Sequence, residues 1–299
     1  TVAAWLGRRY AFFQSSGSSA LITAVYAAGG TDGRTVVLGS SGFVAAVNAV
    51  YHNRARPLFL RTDPETLQAT LLGYESGREQ PAALLLTHFL GNLVDVPQIA
   101  RTVGANHTIE DAGQAQGARL DGRLAGSIAD IGSLAGSHKK LITAGQGGFN
   151  VTNDPNMIHL MRTIGHHGKG SRRVGEVPGY NVRGGEMEAV LALHSFAELD
   201  DRVSLRHQTA HGISTAKTLG ERAEPSWFDV AIVLPDHWAA HRNLLISALQ
   251  AENIPVDTYS SVIEMPWIKP WMSTMGWWDD YHENLLHEER NLWGRVVVL

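Results

Sequence analysis

The sequence predicts an α/β protein in which a mostly parallel sheet is covered by helices on both faces and followed by a smaller α+β unit. Three observations carry this expectation: strand and helix patterns alternate along the first half, the strand-like stretch 81–87 is apolar at successive positions up to its closing Thr87, and the pattern changes after Asp154. Ser18 to Ala28 reads as a helix entered from a Ser-Gly-Ser turn, Thr35 to Leu38 as a short buried strand, and Phe43 to His52 as a second helix. Pro57 to Leu60 and Pro81 to Thr87 read as strands, the latter apolar at successive positions, as in a sheet covered on both sides. A helix near Val96 to Val103 leads to the strand His107 to Asp111, which ends in two acids. Phe149 to Thr152 is a further strand and Pro155 to Arg162 a further helix. Residues 165–185 are rich in Gly, His and Arg and read as a surface loop, ahead of one long amphipathic helix from Glu186 to Arg206. From residue 207 onward, Phe228 to Leu234, a helix Trp238 to Glu252 and the strand-like Ile254 to Tyr259 form the expected smaller domain. The expected domains are therefore 1–206 and 207–299.

Composition narrows the function. The chain has 299 residues, 25 Lys and Arg against 29 Asp and Glu, and a net charge of −4, so no broad cationic surface exists to neutralise a nucleic-acid backbone. With no Cys, disulfides, iron–sulfur clusters, thiolate zinc sites and Cys nucleophiles are all excluded. No apolar run reaches the roughly 18 residues of a membrane span, and the N-terminus carries no secretory signal, which makes the cytoplasm the expected compartment. The chain begins at Thr1 rather than Met, so it is expected to start, and equally to stop, inside a longer product. Lysine occurs only at 139, 140, 169, 217 and 269, which leaves five candidates for any lysine-dependent chemistry.

Three clusters could carry chemistry. Small hydroxyl residues at Ser15-Ser16-Gly17-Ser18-Ser19 open a helix, where free N–H groups and the positive dipole end can hold a phosphate; the same residues also make an ordinary N-cap. Glu110-Asp111-Ala112-Gly113-Gln114 places acids at a strand terminus, either to meet a protonated ring nitrogen or to face water. Lys139-Lys140 precede the Gly-rich turn Gly145-Gln146-Gly147-Gly148; a Schiff-base lysine needs partial burial or a cationic neighbour, whereas a surface pair needs neither.

In this order and spacing the motifs resemble the DegT/DnrJ/EryC1/StrS aminotransferases, enzymes that use pyridoxal phosphate (PLP) to aminate keto-sugars and aminocyclitol precursors. Ser16-Gly17-Ser18-Ser19-Ala20-Leu21 is similar to that family's S-G-T-x-A-L, Phe43-Val44-Ala45-Ala46 to its aromatic-V-A-T segment, and Arg56 to Asp63 to its strand entering a D-x-x-T-L turn. Glu110 to Ala118 resembles E-D-A-A-Q-A-x-G-A, Lys140 to Gly148 resembles K-x-L-T-x-G-E-G-G, and Gly179 to Arg183 resembles G-Y-N-x-R. The resemblance covers nearly the whole chain and implies the PLP-dependent transferase fold of type I, with a mostly parallel seven-stranded sheet sandwiched by helices and a smaller, apparently incomplete C-terminal domain.

The resemblance also implies roles. Lys140 would hold PLP as a Schiff base and move protons at the substrate carbon, with Lys139 one position out of register. Asp111 would pair with the pyridinium nitrogen, Gln114 would contact the ring hydroxyl, Phe43 would stack on the ring, and Ser18 with Ser19 would bind the phosphate. Asn181 would reach the phosphate of a neighbouring subunit, making a homodimer with shared active sites, and Arg183 is a candidate substrate contact. The implied cycle is ping-pong: glutamate or glutamine converts PLP to pyridoxamine phosphate, which aminates a keto-sugar, often nucleotide-linked, or a keto-cyclitol. The alternatives are another PLP reaction on the same scaffold, elimination or retro-aldol cleavage, or a catalytically altered regulatory homologue.

This chain departs from the pattern in places. Ala135-Gly136 replace the common Ser-Phe, removing one phosphate hydroxyl that Ser137 could supply; Gln146 replaces Glu, and Gly184-Gly185 replace bulkier residues. The fourteen His form no compact motif with carboxylates, so no metal site is expected. Trp267, Trp271, Trp277, Trp278 and Tyr281 could line an entrance or pack domains together. Arg172 and Arg173 could meet a diphosphate or a donor carboxylate.

Overall fold

A computed structural model describes residues 2–75, 79–170, 175–210 and 212–299; Arg172 and Arg173 lie outside the described residues. After a short helix α1 (Val2–Trp5), the strands are β1 (Tyr10–Gln14), β2 (Thr35–Gly39), β3 (Arg56–Thr62), β4 (Ala69–Thr70), β5 (Ala83–Thr87), β6 (His107–Asp111), β7 (Arg119–Leu120), β8 (Arg123–Leu124), β9 (Ile131–Ala135), β10 (Gly148–Thr152), β11 (Ala223–Glu224), β12 (Ala231–Val233) and β13 (Val296–Val298). The main sheet has the order β1-β10-β9-β6-β5-β2-β3-β4. Its centre, β9-β6-β5-β2-β3, is parallel, and β1, β10 and β4 add antiparallel edges. Seven of these strands have five to seven residues and correspond to the seven-stranded sheet that the resemblance implies; the eighth, β4, adds a two-residue hairpin to the β3 edge.

Side-chain alternation explains why the central strands are apolar throughout. Val36, Leu38 and Leu85 join one core with the helices α2 (Gly17–Ala27), α3 (Val44–His52) and α5 (Pro155–Gly165), while Val37, Leu84 and Leu86 join another with α4 (Val96–Val103). Ala20, Leu21, Ala24 and Val25 of α2 are buried, so this helix is enclosed and its first turn is held rigidly over the sheet.

Three expectations change in the structure. The predicted helix Glu186 to Arg206 is two helices, α6 (Glu186–Ala197) and α7 (Leu199–Ala210), broken at Glu198 with φ −100° and ψ 4°. The break lets α6 seat Ser195, whose Oγ donates to Leu141 O at 3.2 Å, while Leu199 packs on Leu141 and Ile142. Trp238 to Glu252 divides into a 3-10 turn, Asp236–His241, and α8 (Arg242–Ala251). Ile254 to Tyr259 contributes one bridge, Asp257 to Val298, on the edge of β13 opposite β12, and is not a strand. Helices α9 (Ile268–Thr274) and α10 (Asp280–Trp293) pack Ile268, Met272, Leu285 and Leu286 into the core shared by α2 and α3. Glu289 of α10, buried, accepts from Ser40 Oγ, Thr62 N and Thr62 Oγ1 at 2.7 Å each, tying the helix to the ends of β2 and β3. The Trp267, Trp271, Trp277, Trp278 and Tyr281 group packs at the margin of this core. No described helix is long and apolar enough to cross a membrane.

Candidate active site

The carboxyl ends of β5, β6 and β9 and the first turn of α2 converge on a cavity of about 730 Å³, the position where open parallel sheets hold ligands. Ser18, Phe43, Asp111, Gln114 and Lys140 all line it. Residues more than 100 positions apart in sequence are thus brought together by strand order.

The first turn of α2 is shaped by its cap. Ser16 Oγ accepts the Ser19 N–H at 3.0 Å, and Ser19 Oγ accepts the Ser16 N–H at 3.0 Å while donating to Ser16 O at 2.8 Å. Ser19 is therefore buried in the cap, and its side chain does not line the cavity as expected. The groups left facing a ligand are those of Gly17 and Ser18, whose N–H groups precede the helical ladder. Gly17 is required by packing: a Cβ there would stand 2.6 Å from the Ala135 Cβ. The small residue at 135 thus lets the helix start sit directly on the end of β9, and Ser137 supplies a hydroxyl among the lining residues.

The two acids ending β6 have opposite fates, as strand alternation requires. Glu110 is fully buried away from the cavity, where Oε1 accepts from Ile128 N at 2.5 Å and Ala129 N at 2.9 Å, and Oε2 lies 3.0 Å from His88 Nε2. His88 Nδ1 accepts the Val94 N–H at 3.2 Å, so Nε2 carries the proton given to Glu110. Burial acts to raise the Glu110 carboxyl, but the His88 contact and the backbone donors outweigh it and hold it below the ordinary range. Asp111 lines the cavity, with Oδ1 accepting from Gly113 N at 3.0 Å and Oδ2 from Thr87 Oγ1 at 3.4 Å. Burial pushes its carboxyl up, against the pull of Gly113, Lys140, His88 and Thr87. Gln114 Oε1 accepts the Leu90 N–H at 2.7 Å, which leaves its amide nitrogen as the donor to the cavity.

Lys140 lies on the loop between β9 and β10. Gln116 fastens that loop: its Nε2 donates to Ala135 O and its Oε1 accepts from Ile142 N, both at 2.6 Å. Lys140 Nζ sits 4.2 Å from the centre of the Phe228 ring, and Lys139 is exposed. Burial holds the Lys140 amine below the usual lysine value, with Asp111 and Asp229 opposing and Lys139 adding to the effect. The amine is thus more often neutral than that of a solvent-exposed lysine, as nucleophilic addition to a carbonyl needs.

Asn181 and Arg183 stand outside this chain's cavity. They belong to the 165–185 loop, bridge to His166 and Gln14 respectively, and are joined by Arg183 Nε donating to Asn181 Oδ1 at 3.2 Å. The structure also places residues at the cavity that no motif indicated: Thr87 beside Asp111, and a wall made by Arg206, Phe228, Asp229, Asp257 and Tyr259. Thr87 was detectable as the polar end of an apolar strand next to β6. The wall has no local signature. Among the described residues, no group of three or more His, Asp and Glu side chains could hold a metal ion.

A sequence model of the DegT/DnrJ/EryC1/StrS aminotransferase family matches residues 1–270. The chain belongs to this family. Its relatives include the GDP-perosamine synthase of Escherichia coli O157:H7, 30% identical over 207 residues, a match covering 68% of this chain and 57% of the relative. The L-glutamine:2-deoxy-scyllo-inosose aminotransferase of Streptoalloteichus tenebrarius is 27% identical over 229 residues, 71% of this chain and 54% of that one. The chain thus spans a little over half the length of the curated relatives it matches. Among solved structures, S. venezuelae DesV in complex with a ketimine intermediate superposes with a TM-score of 0.84 at 25% identity, covering 99% of this chain and 82% of DesV. The family is PLP-dependent, and the α/β architecture is that of its solved members.

Proposed function

We propose that this member of the family is a PLP-dependent aminotransferase that takes an amino group from glutamate or glutamine and delivers it to a keto-sugar or keto-cyclitol. The observation that carries the proposal is the meeting of a half-buried lysine amine, a buried carboxyl and an open helix start in one cavity. Relatives named for a nucleotide-linked aminosugar and for an inosose support the acceptor class.

The residues present suit the cofactor. Gly17 and Ser18 offer helix-start N–H groups and a hydroxyl to a phosphate, and Ser137 stands where a second hydroxyl can join them. Asp111, steadied by Gly113 and Thr87, would keep a ring nitrogen protonated; Gln114 would donate to a ring oxygen and Phe43 would cover a ring face. Lys140 would hold the cofactor's carbonyl carbon, and its amine, when released, would move the proton at the substrate carbon that bears the amino group. When bound, PLP supplies the electron sink for that proton transfer. Residues 1–206 would carry the cofactor, and the segment from 207 onward would add the wall that faces the substrate.

A homodimer with shared active sites belongs to the same proposal. Met187, Val190, Leu191 and Leu193 leave an apolar face of α6 at least half exposed, beside the loop that presents Asn181 and Arg183 away from their own cavity. A second copy covering that face would hide it and could bring Asn181 to a neighbouring phosphate.

The test is an absorbance spectrum of the full chain supplied with PLP, before and after glutamate and glutamine. The proposal expects a lysine-bound PLP band that fades as the pyridoxamine form accumulates with one of these donors. Absence of bound PLP overturns it, and a bound band that neither donor changes favours elimination or retro-aldol chemistry instead.

A further inference from the structure

The geometry points to Phe228 and Asp229, steadied by Tyr259, as the resting cradle of the Lys140 amine, with Asp229 as a positioning residue that joins Asp111 in holding the amine's proton whenever it is not covalently engaged. Resting on the reading of Lys140 as the reactive amine, this assigns a task to a wall that carries none of the motifs described above.

The cradle is built. Lys140 Nζ lies 4.2 Å over the Phe228 ring, the distance of a cation–π contact, and Arg206 Cζ lies 5.7 Å from the same ring. The next residue, Asp229, shares the cavity and accepts from the Tyr259 hydroxyl at 2.9 Å through Oδ2, which fixes the carboxylate. Burial raises the Asp229 carboxyl, with Tyr259, Arg206 and Lys140 opposing and Asp257 reinforcing. Asp111 acts on the amine more strongly than Asp229 does, and Lys139 is the remaining charge acting on it.

The segment is held in place at Ser226 and Asp229. Ser226 N donates to Gly91 O at 2.9 Å, Ser226 Oγ to Gln114 O at 3.1 Å, and Asp229 N to Leu90 O at 3.3 Å. A Cβ at Gly91 would fall 2.4 Å from Phe228 N, so the two backbones are in direct contact. Leu90 and Trp227 face each other across this contact with φ of 59° and 50°, a conformation costly for large side chains and retained where the surroundings over-determine it. From the far side, β13 and Leu299 clasp both halves of the wall: Val230 and Leu299 exchange hydrogen bonds at 3.0 and 2.9 Å, and Asp257 and Val298 at 2.8 and 3.1 Å.

The prediction is read on the apo full chain, by acylating lysines with acetic anhydride across a pH series and following each lysine by peptide mass spectrometry. Lysines 169, 217 and 269, which do not line the cavity, serve as internal references. Asp229→Asn should lower the Lys140 midpoint by about one pH unit, the effect of removing a nearby opposite charge, with the references unmoved. Phe228→Leu should lower it by roughly half a unit, and Asp229→Glu should recover most of the Asp229→Asn loss. If Asp229→Asn does not fold, as judged by circular dichroism, Phe228→Leu and Tyr259→Phe carry the test. A Lys140 midpoint unchanged or raised in folded variants, or one that moves together with the references, overturns the proposal. Failure to bind PLP would sink the functional reading while leaving these midpoints where the cradle predicts.

Discussion

The two walls of the cavity are built differently. On one side, Ser18 and Asp111 stand at the start of a buried helix and the end of a parallel strand, and Gln114 and Lys140 on the segments that follow β6 and β9, the latter fastened by Gln116. On the other, Phe228, Asp229 and Tyr259 hang from a segment with little regular structure, held by backbone contacts to Leu90, Gly91 and the last strand. The first wall is a site any ligand with a phosphate and an aldehyde could use. In the function proposed above, the second adjusts the reactive amine and meets the acceptor.

The largest effect falls on the first wall. Lys140→Ala should reduce transamination on the order of 10³-fold or more, measured as the rate of pyridoxamine phosphate formation with the amino donor.

Next comes the contrast between the neighbouring acids. Glu110→Ala leaves His88 and the N–H groups of Ile128 and Ala129 without their acceptor, and should cost about 3 kcal/mol of stability in urea unfolding while the folded fraction still binds PLP. The sign with pH follows from the direction of its shift. Glu110 is held below its unfolded value of 4.5, so its contribution is present above that pH and is lost as pH falls through the folded value.

Asp111 should do the reverse. Its folded carboxyl is raised above 3.8, so the native state binds protons more tightly there and loses stability as pH rises through that raised value. Asp111→Asn should therefore melt higher than wild type at pH 8 and converge with it near pH 4, while binding PLP weakly. Equal melting temperatures at pH 8 would show that the carboxyl is not strained by burial.

The smallest effect belongs to the second wall. Tyr259→Phe removes one hydrogen bond to Asp229 and should shift the Lys140 acylation midpoint by less than Asp229→Asn does, with melting temperature lowered by no more than a few degrees.

How legible each wall was in the sequence follows from the same difference. Strand and helix periods reveal β2, β5, β6 and α3, and turn chemistry reveals the start of α2, because those signals are local. Periodicity also separates Glu110 from Asp111, although which of the two faces the cavity depends on strand order. Ser19 was open to two readings, and the structure commits it to the cap that Ser16 begins. The break at Glu198 depends on where Leu141 and Ile142 lie, some 50 residues upstream. Phe228 and Asp229 owe their places to Leu90 and Gly91, more than 130 residues earlier, and to Leu299 at the other end. No local pattern encodes such partners.

The most direct measurement is borohydride reduction of the full chain incubated with PLP, followed by peptide mapping. The account predicts a single pyridoxyl adduct on Lys140. An adduct on Lys139 or another lysine, or none at all, would contradict it.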